Sequence, residues 1–356
     1  MESKSYLSNL LTATIEKGAS DLHINVGLKP HLRIDGELTP MAGEGEVTVE
    51  QAEGLVNALL NQQQREVFMR DKEIDLGYTF KYSARFRANV YHEKGLLSAA
   101  FRLIPAKIRT IEELEIPPIL HDFAKLSQGL VLAVGPSGHG KSTTLAAILD
   151  EINKTRKEHI ITIEDPIEYI FNPDKSVVSQ REVGVDTPDF GRALKSVLRQ
   201  DPDVVMVGEM RDAESISAAM TAAETGHLVF STLHTNSAAQ TIDRIIDVFP
   251  AEKQSQVAMQ LAATLSGIVS KRLIPKIGGG RVPACEVMLM NPAIRSLIRD
   301  RKTHQIDTVI ETNLKFGMIG LGRSLADLVK AKKITKENAE LYTLSQSELR
   351  LLMESR

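Results

Sequence analysis

The stretch Gly135-Pro136-Ser137-Gly138-His139-Gly140-Lys141-Ser142 carries glycine, lysine and a hydroxyl at the spacing G-x-x-x-x-G-K-[ST]. Glycines let a backbone fold round an anion with several N–H groups turned inward. A lysine at this spacing reaches the β- and γ-phosphates, and the serine hydroxyl ligates Mg²⁺. The flanks fit the same chemistry. Leu130–Val134 is a short apolar run rich in β-formers, and Thr143–Leu149 has apolar residues at helical spacing. A helix starting behind the loop adds unpaired N–H groups and the positive end of its dipole. Gly135, Pro136, Ser137, Gly138, His139, Gly140, Lys141, Ser142 and Thr143 are therefore the expected nucleotide contacts.

Further candidates follow other apolar runs. Ile160–Ile163 leads into Glu164-Asp165-Pro166-Ile167-Glu168, three carboxylates in five residues, a set suited to Mg²⁺ and a water. Val204–Val207 leads into Gly208-Glu209-Met210-Arg211-Asp212, with glycine where many such sites carry a metal-binding aspartate. The expectation is that Glu209 orients and polarises the attacking water while Glu164 and Asp165, with Ser142, organise Mg²⁺ and its waters. The opposite division, with Glu209 at the metal, is left open. Leu228–Ser231 leads into Thr232, His234 and Asn236, placed to sense a γ-phosphate; His227 and His234 bracket that strand.

The elements that must hold these groups can be read from patterning. Four buried strand candidates alternating with helices indicate an α/β domain with a largely parallel sheet, whose ligands sit beyond the carboxyl ends of the strands. Asp212 reads as the N-cap of a helix over Ala213–Glu224 that Gly226 ends, and Thr187 as the N-cap of a helix with Pro188 in its first position. Residues 1–104 read as a smaller α+β domain. It has a helix through Leu7, Leu10, Leu11 and Ile15, and strands from Asp21, His31, Ile74, Arg85 and Leu96. Helix, in two pieces, is expected over Val49–Arg70. In Arg85–Tyr91 the alternation puts Phe86, Ala88 and Val90 on one face and Arg85 and Arg87 on the other. That second face, which Arg102 can join, is either a solvated basic surface or a clamp for phosphate oxygens. Pro105 and Pro117-Pro118 frame a linker over 105–128 that permits the domains to reorient. From 276 on, Gly278-Gly279-Gly280 reads as a flexible turn, and beyond Cys285 the pattern is helical, over Ala293–Arg299, Ser324–Lys332 and Asn338–Met353.

With 356 residues, 42% apolar, 25% charged and a net charge of −3, the chain suits two soluble domains and offers no basic excess for nucleic acid or anionic lipid. The single cysteine, Cys285, precludes a disulfide framework or a multi-cysteine zinc site. There is no apolar run long enough to span a bilayer and no signal-like segment after Met1, so a cytoplasmic location is expected.

The ordered set Gly135–Ser142, Ile163–Tyr169, Val207–Asp212 and Thr225–Asn236 resembles the Walker A, Asp box, Walker B and His box of the secretion-ATPase superfamily. Ser20-Asp21-Leu22-His23 and Arg33-Ile34-Asp35-Gly36 match as well. Within that superfamily the chain resembles the type IV pilus retraction ATPases. It lacks the four-cysteine zinc element and extra N-terminal domains of the extension and type II secretion branches. It carries Ala293-Ile294-Arg295-Ser296-Leu297-Ile298-Arg299-Asp300 in place of that branch's Ala-Ile-Arg-Asn-Leu-Ile-Arg-Glu. It departs from the family at His139, where a small residue is usual.

The resemblance implies a RecA-like P-loop ATPase core over 129–275, a PAS-like N-terminal domain over 1–104 and a helical C-terminal subdomain over 276–356. It further implies a homohexamer with ATP and Mg²⁺ between subunits, and Arg85, Arg87 and Arg102 acting in trans on the phosphates beside Glu209, Glu164 and His234. The implied work is pilus retraction and twitching motility. An inner-membrane pilus platform protein and related pilus ATPases would be partners, and the chain would be peripheral at the membrane without insertion. Competing readings are a divergent paralogue serving as an accessory retraction or secretion ATPase, and a nucleotide-dependent switch subunit with little turnover. A DNA-translocating motor is disfavoured by the charge balance and the missing aromatic–basic strip.

Overall fold

The computed structural model describes residues 2–34, 36–81, 84–104 and 107–354. Asp35 and the linker residues Pro105 and Ala106 lie outside the described residues. The chain divides into two compact units, one of Met1–Lys107 with Pro166–Ile170, the other of Ile108–Asp165 with Phe171–Arg356.

The first unit contains α1 (Glu2–Glu16), β1 (Asp21–Asn25), β2 (His31–Ile34), β3 (Glu37–Pro40), α2 (Val49–Leu59), α3 (Gln62–Asp71), β4 (Glu73–Phe80), β5 (Ala84–Glu93) and β6 (Leu96–Ile104). Its sheet runs β3-β2-β1-β6-β5-β4, each pair antiparallel. The alternation read in β5 holds: Phe86, Ala88 and Val90 are fully buried, packed with Leu7, Leu10 and Leu11 of α1 and Leu55 of α2. A capping box of Thr48 with Gln51 starts α2, and the break before α3 comes from the extended Leu60 followed by a second capping box, Asn61 with Gln64. Strand β3 went unread because every one of its residues is exposed, which leaves no periodicity to detect.

One row of charge crosses this sheet in register: Arg33 on β2, Asp21 on β1, Arg102 on β6 and Arg87 on β5. Arg87 and Arg102 face each other directly, an arrangement that repels unless each finds a counterion. Asp21 supplies one, accepting from Arg102 Nε at 2.8 Å, and lies 3.9 Å from Arg33; Asp75 lies 3.7 Å from Arg87. Burial alone would raise the Asp21 carboxyl, but the Ser20 hydroxyl and the Arg102 guanidinium outweigh it and hold the group below its ordinary value.

The second unit contains α4 (His121–Lys125), β7 (Gly129–Val134), α5 (Lys141–Thr155), β8 (His159–Glu164), β9 (Val177–Glu182), α6 (Phe190–Val197), β10 (Val204–Val207), α7 (Ala213–Glu224), β11 (Leu228–Leu233), α8 (Ala238–Asp247), α9 (Ala251–Thr264), β12 (Leu265–Pro275), β13 (Arg281–Leu289), α10 (Pro292–Arg299), α11 (Ile306–Thr312), α12 (Leu321–Lys330), α13 (Lys336–Tyr342) and α14 (Gln346–Glu354). The sheet order is β13-β12-β7-β11-β10-β8-β9, parallel throughout except that β13 runs antiparallel to β12. Residues 108–128 pack into this unit, burying Ile111, Leu114, Leu120 and Phe123. Among the described residues no helix is long and apolar enough to cross a membrane.

The four expected strands are β7, β8, β10 and β11, buried at every position but His159, the first residue of β8. Three others differ from the sequence reading. Strand β9 is a mixed, partly exposed edge. Strand β12 follows α9 without a break and carries Lys271-Arg272 in its middle, and β13 holds Pro283 and Glu286. Gly278–Gly280 is the turn of the β12–β13 hairpin, all three residues at positive φ, and the first C-terminal helix starts at Pro292, next to the expected Ala293, while the helix expected over Asn338–Met353 is two, α13 and α14. Helix α6 starts later than expected. Its cap is Asp189, which accepts from Arg192 N at 2.7 Å, whereas the Thr187 hydroxyl donates to the Asp189 carbonyl. The segment Ala293–Asp300 is largely α10, with Ile294 and Ile298 fully buried in the main core and Arg295 donating to the Ala262 carbonyl at the end of α9.

The Asp21 row yields a stability prediction. Asp21→Asn should lower the stability of the first unit by about 1–3 kcal/mol at neutral pH, the worth of hydrogen bonds to a charged group. Because the folded carboxyl titrates below the unfolded one, the wild-type advantage is complete above about pH 4 and is lost as pH falls through the folded value. Thermal unfolding of both proteins at neutral and acid pH reads this out; equal midpoints at neutral pH would remove Asp21 as the keystone of the row.

Candidate functional site

In the parallel part of the second sheet the strand ends are aligned: Ile163 pairs with Val207, Val207 with Ser231, and Leu233 with Val134. The turns after β7, β11, β10 and β8 therefore share one edge, in that spatial order. Strands lie about 4.8 Å apart, so the turn after β11 is the immediate neighbour of the phosphate loop, the turn after β10 is two steps away and that after β8 is three.

The loop has the backbone its glycines require. Gly135, Gly138 and Gly140 have φ of 140°, 74° and 82°, and a Cβ on Gly135 would stand 2.3 Å from the Lys271 carbonyl oxygen. Helix α5 begins at Lys141 with Gly140 as its cap. Lys141 is buried, and its ammonium donates to the Gly135 carbonyl (2.9 Å) and the Pro136 carbonyl (3.0 Å) and lies 3.3 Å from His234 Nδ1. On the far side of the ring, His234 Nε2 is 3.4 Å from Glu209 Oε1, and the other Glu209 oxygen accepts from Arg211 at 2.9 Å. Lys141, His234, Glu209 and Arg211 thus form one continuous polar chain along the sheet edge. The hydrogen bond and charge of Glu209, with Asp165 adding, raise Arg211 above the usual guanidinium value.

Glu164 is placed differently. It is buried at the end of β8, where Oε1 accepts from Thr162 Oγ1 (2.7 Å) and Gln180 Nε2 (3.2 Å). The acidic turn is divided between the units: Glu164 and exposed Asp165 belong to the second, Glu168 to the first. Among the described residues no three carboxylates, imidazoles or thiols gather as a cation site, so Glu164, Asp165 and Glu209 do not enclose one ion together. That donor set suits Mg²⁺ held chiefly by phosphates and water with one or two protein oxygens.

Gly208 lies close against the end of β8. Its N–H donates to the Ile163 carbonyl at 2.8 Å, and a Cβ there would lie 3.3 Å from that oxygen and 3.4 Å from Glu164 Cα. The Thr232 hydroxyl donates to the Gly208 carbonyl at 2.6 Å, which makes Thr232 a brace for the Glu209 turn. Asn236 offers its carbonyl to Ser270 and its N–H to Gln240. His227 lies at the opposite end of β11, bonded to the Ala222 carbonyl at the end of α7, and the two histidines do not share a site. The loop residue His139 accepts through Nδ1 from the Leu273 N–H at 2.9 Å; burial first, then Arg281, Arg272 and Lys141, lower its titration.

The arginines Arg85, Arg87 and Arg102 lie in the first unit. Arg85 donates to Thr79 Oγ1 and the Ile167 carbonyl, and Arg87 and Arg102 sit in the charge row described above. Residues the sequence reading passed over are Gln180 and Thr162, which hold Glu164, Arg211, which holds Glu209, and Lys271 on β12. The one available signal was the Lys271-Arg272 pair inside an otherwise apolar stretch.

A parallel sheet with a glycine-rich loop after one strand and a carboxylate after another on the same edge defines a P-loop ATPase. Residues 107–315 match the family described as type II/IV secretion system protein. The type IV pilus retraction ATPase PilT of Pseudomonas aeruginosa is 46% identical over 338 residues, spanning 94% of this chain and 96% of that protein. The twitching motility protein of Neisseria gonorrhoeae is 42% identical over 336 residues, 94% of this chain and 89% of that protein. The crystal structure of the pilus retraction motor PilT with bound ADP superposes with a TM-score of 0.90 at 42% identity, covering 97% of this chain and 98% of that one. The chain belongs to the type II/IV secretion system ATPase family.

The crowding at Gly208 gives a prediction. Gly208→Asp, which would restore the common metal-binding carboxylate, should instead push β8 and β10 apart, costing about 1–3 kcal/mol and most of the phosphate release. A variant with unchanged midpoint and turnover would show that the strand ends yield freely.

Proposed function

We propose that this ATPase is the motor that retracts type IV pili, working as a ring of six copies in the cytoplasm and bound to an inner-membrane platform protein. The observation that carries the hydrolytic part is the chain Lys141–His234–Glu209–Arg211. Its two ends do different work. Lys141 and the loop N–H groups bind and orient the phosphates, and Glu209 polarises the attacking water. His234, between them, is placed to pass the presence of a γ-phosphate from Lys141 to Glu209. The Ser142 hydroxyl would hold Mg²⁺, with Glu164 and Asp165 fixing its waters, and the ion would supply charge to offset that of the phosphates. Arg85, Arg87 and Arg102 of a neighbouring copy would supply positive charge as the phosphoryl group departs, making hydrolysis depend on the ring. The similarity to PilT along nearly the whole chain supports retraction as the work performed.

Lys141→Ala and Glu209→Ala should each reduce phosphate release by the purified protein by about 10²-fold or more, the range for removing a group that stabilises or orients in the transition state. Unchanged turnover in the Glu209 variant would sink its role. Deletion in the source organism should leave surface pili in excess and immobile; loss of all pili would contradict retraction.

A further inference from the structure

Lys271 meets the phosphate loop from underneath. It lies in the middle of β12, 3% exposed, and its Nζ donates to Thr144 Oγ1 (3.0 Å) and the Gly140 carbonyl (3.4 Å). Its own carbonyl is the atom against which Gly135 packs, and two residues on, Leu273 N–H holds His139. One short piece of strand therefore touches the loop at its first glycine, its histidine and its last glycine.

The ammonium has no ion pair among the described residues. The titrating and charged groups facing it are Cys285 on β13 and Arg109; His139 on the loop is held by the Leu273 N–H, two residues further along the strand. Burial, reinforced by the Arg109 charge, pushes Lys271 down to about 8. Burial pushes the Cys285 thiol up to about 11, so it is neutral where Lys271 titrates, and His139 is neutral there too. The position is doubly unfavourable for a cation, being buried without a counterion and under the first turn of α5, the positive end of the helix. A polyanion seated on the loop would reverse both penalties.

We propose that Lys271 is a positioning residue of the nucleotide site, a second lysine that holds the phosphate loop from behind. The peptide between Gly140 and Lys141 is planar and trans, so a cation that fixes the Gly140 carbonyl downward turns the Lys141 N–H upward, towards the bound phosphates. The same ammonium adds positive charge a few ångströms behind the loop without occupying the site. This rests on the reading of Gly135–Ser142 as the ATP site.

The test is binding of Mg-ADP and Mg-ATP, measured by calorimetry from about pH 7 to about pH 9.5, for the wild type, Lys271→Met, Lys271→Arg and, as a control, Lys141→Ala. Lys271→Met should bind about tenfold more weakly at pH 7, the worth of one charge-assisted hydrogen bond, while Lys271→Arg stays near wild type. Bound phosphates favour the charged ammonium, so wild-type affinity should fall as pH rises above about 8, by up to about tenfold per unit, with proton uptake on binding. Lys271→Arg, charged throughout, should not show that fall. Lys271→Met binding as tightly as wild type with the same pH profile overturns the proposal, as does a wild-type affinity that stays flat over this range, which needs no variant. A wild type that binds neither nucleotide overturns instead the reading of the loop as the ATP site.

Discussion

A backbone that wraps an anion turns its N–H groups away from the rest of the protein, so it cannot be stabilised by a ladder of its own. The phosphate loop has to be braced from outside, and strand β12 provides most of the bracing. Gly135 lies against the Lys271 carbonyl, His139 accepts from Leu273 N–H, and Gly140 rests over the Lys271 ammonium. The same strand runs on to the C-terminal helices: Arg272 Nη1 donates to the Tyr342 carbonyl at the end of α13, and Ile274 joins the core under α12 and α14. The C-terminal part of the unit is thereby attached to the strand that fixes the loop.

Aligned strand ends account for how the site is assembled. Because β11 lies between β7 and β10, an imidazole on the turn after β11 is the only ring needed to bridge the loop lysine to the carboxylate beyond β10. β8 approaches β10 closely enough that a Cβ at 208 would be tight, and the acidic function sits one residue on, at Glu209. Thr232 then satisfies the carbonyl that this turn leaves open. The glycine that departs from the usual carboxylate therefore suits the close spacing of these strand ends.

Much of this was legible beforehand, for physical reasons. Strands buried on both faces are continuous apolar runs, and β7, β8, β10 and β11 were read as such; helix α7 announced itself by an Asp212 cap that does accept from Ser215 N. The loop was legible because its glycines and lysine are fixed by backbone geometry and charge. What escaped depends on neighbours remote in sequence. Strand β12 looks broken at Lys271-Arg272 only until the loop 131 residues away is laid over Lys271. Strand β13 tolerates Pro283 as the outermost strand of its sheet, and the buried Glu286 beside it is satisfied by the Ala238 N–H at the start of α8. The position of the α6 cap turned on whether Thr187 or Asp189 reached the free N–H groups, and a carboxylate is the stronger acceptor.

The two carboxylates that sequence alone left interchangeable differ in how they are held. Glu164 is buried, and its Oε1 accepts from a hydroxyl and a primary amide, donors that fix the orientation of the carboxylate. Glu209 is partly exposed and tied to two basic groups, Arg211 on one oxygen and His234 on the other, the second of which is itself in reach of Lys141. A group that must respond to the phosphates needs partners that do so, and Glu209 has surroundings of that kind, which supports its proposed place at the attacking water.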